Sequence, residues 1–178
     1  MIIENTLQLL PLFSGETDEL IIEGDLEISP KEVNEGVVLS GPVHVSGILK
    51  NMSGYITLRL AITADYDTVC DRCLKPLHRT EKFSLDKSVA VAGTLEEEDS
   101  YEVENEYILI ENNQLDLGET VLEVLILELP WRHLCREDCR GLCAKCGHDL
   151  NEGDCGCPKK DIDPRLAVLS SLLNKSNE

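Results

Sequence analysis

The chain has 178 residues, 42% of them hydrophobic, with few aromatics and a single tryptophan, Trp131. That suits one domain of ordinary size, or a domain with a small appendage, around a core of Leu, Ile and Val. The formal net charge is −18, and residues 1–130 carry 26 acidic and 8 basic side chains against 8 of each in residues 131–178. An acidic body repels a phosphate backbone and attracts basic partners, and it also favours solubility.

The opening residues, Met1-Ile-Ile-Glu-Asn, have no basic leader character, and no apolar run approaches the roughly 20 residues of a membrane span. The expectation is a cytoplasmic protein without membrane association.

Leu20, Ile22, Leu26 and Ile28 fall on alternate positions and predict an extended first stretch. A second β-rich run, Val37 to Leu49, is broken at Gly41-Pro42 and at Gly47, and residues 51–54 read as a turn. From Tyr55 to Ala64, Ile56, Leu58, Leu60, Ile62 and Ala64 share one face, a period of two that predicts a strand with one face buried. That strand leads to Cys70. After Pro76, Phe83, Leu85, Val89 and Val91 continue in an extended pattern, so the Cys70–Pro76 turn predicts a hairpin.

Residues 94–106, with Glu96, Glu97, Glu98, Asp99, Glu102, Glu104 and Glu106, keep no apolar period and read as a solvated loop. A short strand at Tyr107–Ile110 and a turn at Asn112-Asn113 follow. Leu117, Val121, Leu122, Leu125 and Leu129 recur at helical spacing up to Pro130. The cysteine-rich segment 135–157 comes next. A final helix is expected from Asp163-Pro164, with Leu166, Leu169, Leu172 and Leu173 as its stripe.

The eight cysteines carry the chemistry. Cys70/Cys73 and Cys143/Cys146 are C-x2-C pairs, Cys135/Cys139 is C-x3-C, and Cys155/Cys157 is C-x-C. Two thiolates two residues apart reach one ion from a single tight turn, and a second pair completes a tetrahedron. Gly147 and Gly156 permit the bends that bring backbone N–H groups toward sulfur.

Cys143, Cys146, Cys155 and Cys157 are therefore expected to form one local zinc site. Cys70, Cys73, Cys135 and Cys139 would form a second, tying the hairpin to the end of the long helix. His148 or His133 could replace a cysteine, and one zinc with four spare cysteines is also open. Disulfides conflict with a reducing cytosol, a redox C-x2-C is expected near a βαβ pattern that is absent here, and an iron–sulfur cluster is a lesser alternative.

Basic residues are interleaved with these ligands. Arg72, Lys75, Arg132, Arg136, Arg140 and Lys145 would offset thiolate charge, since eight thiolates and two Zn²⁺ leave about −4. Alternatively they form a basic face that meets RNA phosphate while the acidic body points away.

The order of residues running Cys70-Asp-Arg-Cys-Leu-Lys-Pro, then Leu129-Pro130, then Cys135-Arg-Glu-Asp-Cys-Arg-Gly-Leu-Cys-Ala-Lys-Cys-Gly-His-Asp-Leu-Asn, Cys155-Gly-Cys157 and Asp163-Pro-Arg-Leu-Ala-Val-Leu closely resembles the YceD-like family, the large-ribosomal-RNA-subunit accumulation proteins, in its cysteine-rich Gram-positive-type form. The resemblance implies a role in 23S rRNA accumulation or processing. Its partner would be large-subunit rRNA or a basic ribosomal protein, with no small-molecule substrate. It supplies no catalytic residues.

The expected architecture is α+β: a mainly antiparallel sheet or partial barrel with one packing helix, a zinc-binding C-terminal segment and a final helix. Residues 1–130 would form the acidic domain, and 131–178 the zinc segment and final helix packed on it. The expected activity is binding, with one or two zinc ions as scaffold. A thiol/zinc redox-responsive regulator is the alternative. A metal-dependent RNA-processing enzyme is a weaker one, because it would want clustered carboxylates around an open metal position.

Overall fold

The computed structural model describes residues 2–52, 54–91 and 107–158. In chain order its elements are β1 (Thr6–Gln8), α1 (Leu10–Phe13), β2 (Glu19–Leu26), β3 (Glu32–Asn34), β4 (Val37–Leu39), β5 (Val43–Met52), β6 (Tyr55–Val69), β7 (Pro76–Val91), β8 (Tyr107–Ile110), β9 (Gln114–Asp116) and α2 (Leu117–Glu128). The acidic stretch 94–106 and the final helix read from Leu166 to Leu173 lie outside the described residues.

Everything is organised on β6. Its alternation is strict: Ile56, Leu58, Leu60, Ile62, Ala64, Tyr66 and Thr68 are buried and their neighbours face outward. One edge of β6 pairs along its length with β7, from Ile56↔Val89 to Val69↔Pro76. The other edge is shared end to end by β5, over Tyr55 to Thr63, and β4, at Tyr66 and Asp67.

Beyond these, β2 pairs with β5, β3 with β4, and β8 runs parallel to β7. All pairings in this seven-stranded sheet except β7–β8 are antiparallel. Among the described residues no ladder joins β8 to β2 or β3, so the sheet stays open and does not close into a barrel.

The break in the second β-rich run falls at Gly41-Pro42, between β4 and β5. Gly47 is not a break but lies in mid-strand. A Cβ there would stand 2.0 Å from the Arg59 carbonyl oxygen and 2.8 Å from the Leu60 side chain. The glycine therefore lets two backbones approach, one of the roles glycine has inside strands.

The core lies under one face of the sheet and is closed by α2, which buries Leu117, Val121, Val124 and Leu125. The Asp116 carboxylate caps this helix, accepting from the Glu119 N–H at 2.8 Å. Leu129 is buried at its end, directly before Pro130. A separate ladder, β1 with β9, and the Leu117 N–H to Asn5 carbonyl bond (2.7 Å) pin the N-terminal segment to the start of α2. The short elements β1, β3, β9 and α1 have too few residues to show a period in sequence. They form because buried neighbours such as Leu9 and Leu12 are held in place by the large sheet.

Gly47→Val is expected to lower stability by about 3 kcal/mol, through overpacking at the β5–β6 contact. Urea unfolding checks this, and an unchanged midpoint would show that the strands can separate at no cost.

Candidate metal centres

The buried face of β6 runs out of the strand into Cys70, which continues the same alternation and is fully buried. The chain then turns back in six residues. Cys70 N–H donates to the Lys75 carbonyl and Leu74 N–H to the Cys70 carbonyl, both at 2.8 Å. The same turn recurs at the second C-x2-C pair. Cys143 N–H donates to the His148 carbonyl and Gly147 N–H to the Cys143 carbonyl, again at 2.8 Å.

Corresponding residues also take the same left-handed conformation, Leu74 at φ 59° and Gly147 at φ 73°. In both turns the first sulfur accepts backbone N–H groups from the residues two and three positions on. The second accepts one from the residue two positions on.

The structure brings the eight cysteines into two groups, Cys70 with Cys73, Cys135 and Cys139, and Cys143 with Cys146, Cys155 and Cys157. Within each group all the sulfurs lie within 4.8 Å of one another. None is in a disulfide. In the first group the Cys70–Cys139 and Cys73–Cys135 sulfur separations are 3.8 and 3.7 Å. A bridged pair would stand at about 2.05 Å. A tetrahedron of thiolates around an ion bound at about 2.3 Å has edges of about 3.8 Å. The donors present therefore fit a tetrahedral metal ion, and each group could hold one.

Charge points the same way. Burial pushes the Cys70 thiol up, but N–H groups of Cys135, Cys73 and Arg72 outweigh it and hold the thiol down at about 6. In the same group burial and the sulfurs of Cys139, Cys73 and Cys70 push Cys135 up to about 12. The second group repeats this. N–H groups of Lys145 and Cys146 hold Cys143 down at about 6, while the sulfurs of Cys146 and Cys155, together with burial, push Cys157 up to about 12. Four thiolates cannot share either space without a cation between them.

Polar contacts lock the first group into the fold. Asp71 N–H donates to the His133 carbonyl (2.8 Å), and His133 N–H returns a bond to the Asp71 carboxylate (2.7 Å). The Arg72 guanidinium reaches the Cys139 carbonyl at 2.6 Å, and Arg79 the Leu134 carbonyl at 2.7 Å. The His133 ring is buried edge-on to Tyr66 at 5.6 Å, and His148 is exposed. With four sulfurs in each group, neither histidine is needed as a ligand.

Of the interleaved basic residues, Arg72 holds the segment 137–139 in place. Arg136 pairs with Asp138 and bonds Asn151, and Arg140 pairs with Asp154. Lys75, Arg132 and Lys145 are exposed. Sequence reasoning gave no role at the cysteines to Asp71 or Arg79, and none beyond a turn to Asn151. Asp71 and Asn151 lie between cysteines, which was a signal; Arg79, six residues beyond Cys73, carries none.

An open, mostly antiparallel sheet whose longest hairpin ends in a four-cysteine cluster, with a second such cluster built on the same turn, defines a protein with two cysteine centres. The chain belongs to the family described as large ribosomal RNA subunit accumulation protein YceD, which it matches over residues 58–173. A Mycobacterium tuberculosis protein is 28% identical over 154 residues, covering 86% of this chain and 64% of the relative. This chain thus spans just under two-thirds of the length of such mycobacterial relatives. YlbN of Bacillus subtilis is 26% identical over 176 residues, covering 97% of this chain and 95% of the relative. The Arabidopsis thaliana large ribosomal RNA subunit accumulation protein YCED homolog 1, chloroplastic, is 29% identical over 68 residues, covering 38% of this chain and 21% of its own. No solved structure matches.

Two outcomes are expected. Leu74 is exposed, so Leu74→Gly loses little packing and relieves the left-handed strain, raising stability by up to about 1 kcal/mol in urea unfolding. Metal affinity rises as pH rises above about 6, because binding takes deprotonated thiols, and in the empty group burial and neighbouring sulfurs keep Cys135 protonated. Competition against a chromogenic chelator, corrected for the chelator's own protonation, reads this directly.

Proposed function

We propose that this protein supports the accumulation or processing of 23S rRNA in large-subunit assembly, and that it does so by binding and without catalysis. Membership of the accumulation-protein family supports the ribosomal role. The observation that carries the mechanism is the first cysteine group. It fastens residues 135–139 to the tip of the longest hairpin, so that the surface there has one shape.

Zinc is the ion that fits best, because four thiolates at tetrahedral spacing and no open ligand position are the marks of a structural zinc site. Around this fixed tip, Lys75 and Arg132 are available to rRNA phosphate, while the acidic residues of 1–130 suit a basic ribosomal protein. Among the described residues no helix is long and apolar enough to cross a membrane. We take the cytoplasm, where ribosomes assemble, as its place of work.

Deletion of the gene is expected to lower 23S rRNA relative to 16S. The unaltered gene restores the ratio, and one carrying Cys73→Ser with Cys146→Ser does not. A normal ratio in the deletion strain would overturn the ribosomal role, and restoration by the double variant would overturn the metal scaffold. Crosslinking of the tagged protein in cells separates the two partners, since recovery of 23S fragments assigns rRNA and recovery of a ribosomal protein alone assigns the protein.

A further inference from the structure

The two cysteine groups share a turn but not an environment. In the first, Cys70, Cys73 and Cys139 are 0%, 8% and 2% exposed and pack against Leu77, Leu134 and Leu142. In the second, Cys146 is exposed and the other three are half-buried. Cys143, Cys155 and Cys157 line an open cavity of about 760 Å³, together with Ala144 and Leu150.

The ligands also differ in how they are joined. Those of the first group come from residues 70–73 and 135–139, across the fold, whereas those of the second all lie within 143–157. Opening the first group means breaking the docking of a segment on the hairpin. Opening the second means moving one loop.

That loop touches the first group. Asn151 lies between the two halves of the second group, and its amide is fully bonded. Its Oδ1 accepts from Arg140 N–H and Arg136 Nη2, each at 2.8 Å. Its Nδ2 donates to the Asp149 carboxylate at 2.6 Å and to the Cys139 sulfur at 3.4 Å. An N–H bond to a ligating thiolate stabilises the charged form, and such supporting contacts control metal affinity. The Cys139 thiolate therefore takes one of its donors from a loop whose ends are the ligands of the other site.

We propose that the second cysteine group is an exchangeable metal site, and that its occupancy sets the affinity of the first through Asn151. The inference rests on the reading that both groups bind zinc. With the second ion in place, the loop 147–154 is closed at both ends and Asn151 is held against Cys139. When that ion leaves to a competing ligand entering from the cavity, the loop is held by hydrogen bonds alone, chiefly Leu150 N–H to the Gly141 carbonyl, the Leu142–Asp149 bridge and the Arg136 and Arg140 bonds to Asn151, so the donor to Cys139 is held less firmly and the first ion less tightly. The coupling is reciprocal, as linkage requires.

The test uses the full chain loaded with two equivalents of zinc. EDTA is added in steps, bound zinc is counted by native mass spectrometry, and freed cysteines are identified by alkylation and peptide mapping. Cys143, Cys146, Cys155 and Cys157 are expected to become alkylated at least ten times faster than the first four. Asn151→Asp keeps the acceptor that Arg140 and Arg136 use and removes the donor to Cys139.

In that variant the first group is expected to lose zinc about tenfold faster. Cys146→Ser speeds loss from the first group in the natural chain but adds nothing in the Asn151→Asp background. Equal rates for the two groups, or an Asn151→Asp variant that releases its first-group zinc at the natural rate, would overturn the proposal. The Asn151→Asp comparison does not depend on the folding of Cys146→Ser. Failure of the chain to hold any zinc would instead remove the reading on which the proposal rests, so the two failures are distinct.

Discussion

The constraint on which the structure turns is the meeting of four sulfur atoms from two places more than sixty residues apart, at the end of a hairpin whose core-facing row leads straight to one of them. Burial alone would disfavour a charged thiol there, and sulfur neighbours at under 4 Å would disfavour a second. Backbone N–H groups in the turn and the Asn151 amide work against that penalty, and a cation between the sulfurs would reverse it. The four sulfurs in any case place the segment after α2 against the end of the hairpin. The Asp71–His133 exchange, the Arg72 contact with the Cys139 carbonyl and the Arg79 contact with the Leu134 carbonyl all act on that same segment.

Much of this was legible in the residues. The period of two in β6, the helical spacing of α2, and the hairpin across Cys70–Pro76 all follow from local pattern, because each places one side chain after another against the same core. What sequence could not supply was anything set by a partner strand. Gly47 reads as a breaker until β6 is beside it, when it becomes the position at which the Arg59 carbonyl needs room. Leu74 reads as an ordinary apolar residue, yet it holds the conformation that Gly147 holds in the twin turn. The turn is fixed by sulfur and backbone on both sides, and that is enough to force a leucine where glycine is easier.

The basic residues around the cysteines show a different limit. Composition gives them one property, charge, and the structure divides them by what they touch. Arg72 binds backbone carbonyls and Arg136 and Arg140 neutralise nearby carboxylates, whereas Lys75 and Arg132 face outward. A charge near a thiolate is thus not by itself a recognition residue. The acidic excess of residues 1–130 likewise marks no single recognition residue; it favours basic molecules in general.

The separation in sequence between the two halves of the first cysteine group carries a consequence for biosynthesis. During translation Cys70 and Cys73 are made more than sixty residues before Cys135 and Cys139. Until those follow, the tip of the hairpin carries two of the four sulfurs and lacks the other two. The nascent chain therefore passes through an interval in which its fold is incomplete by lack of later residues and not by slowness of pairing. The second group, contiguous by contrast, waits only for Cys157 to emerge.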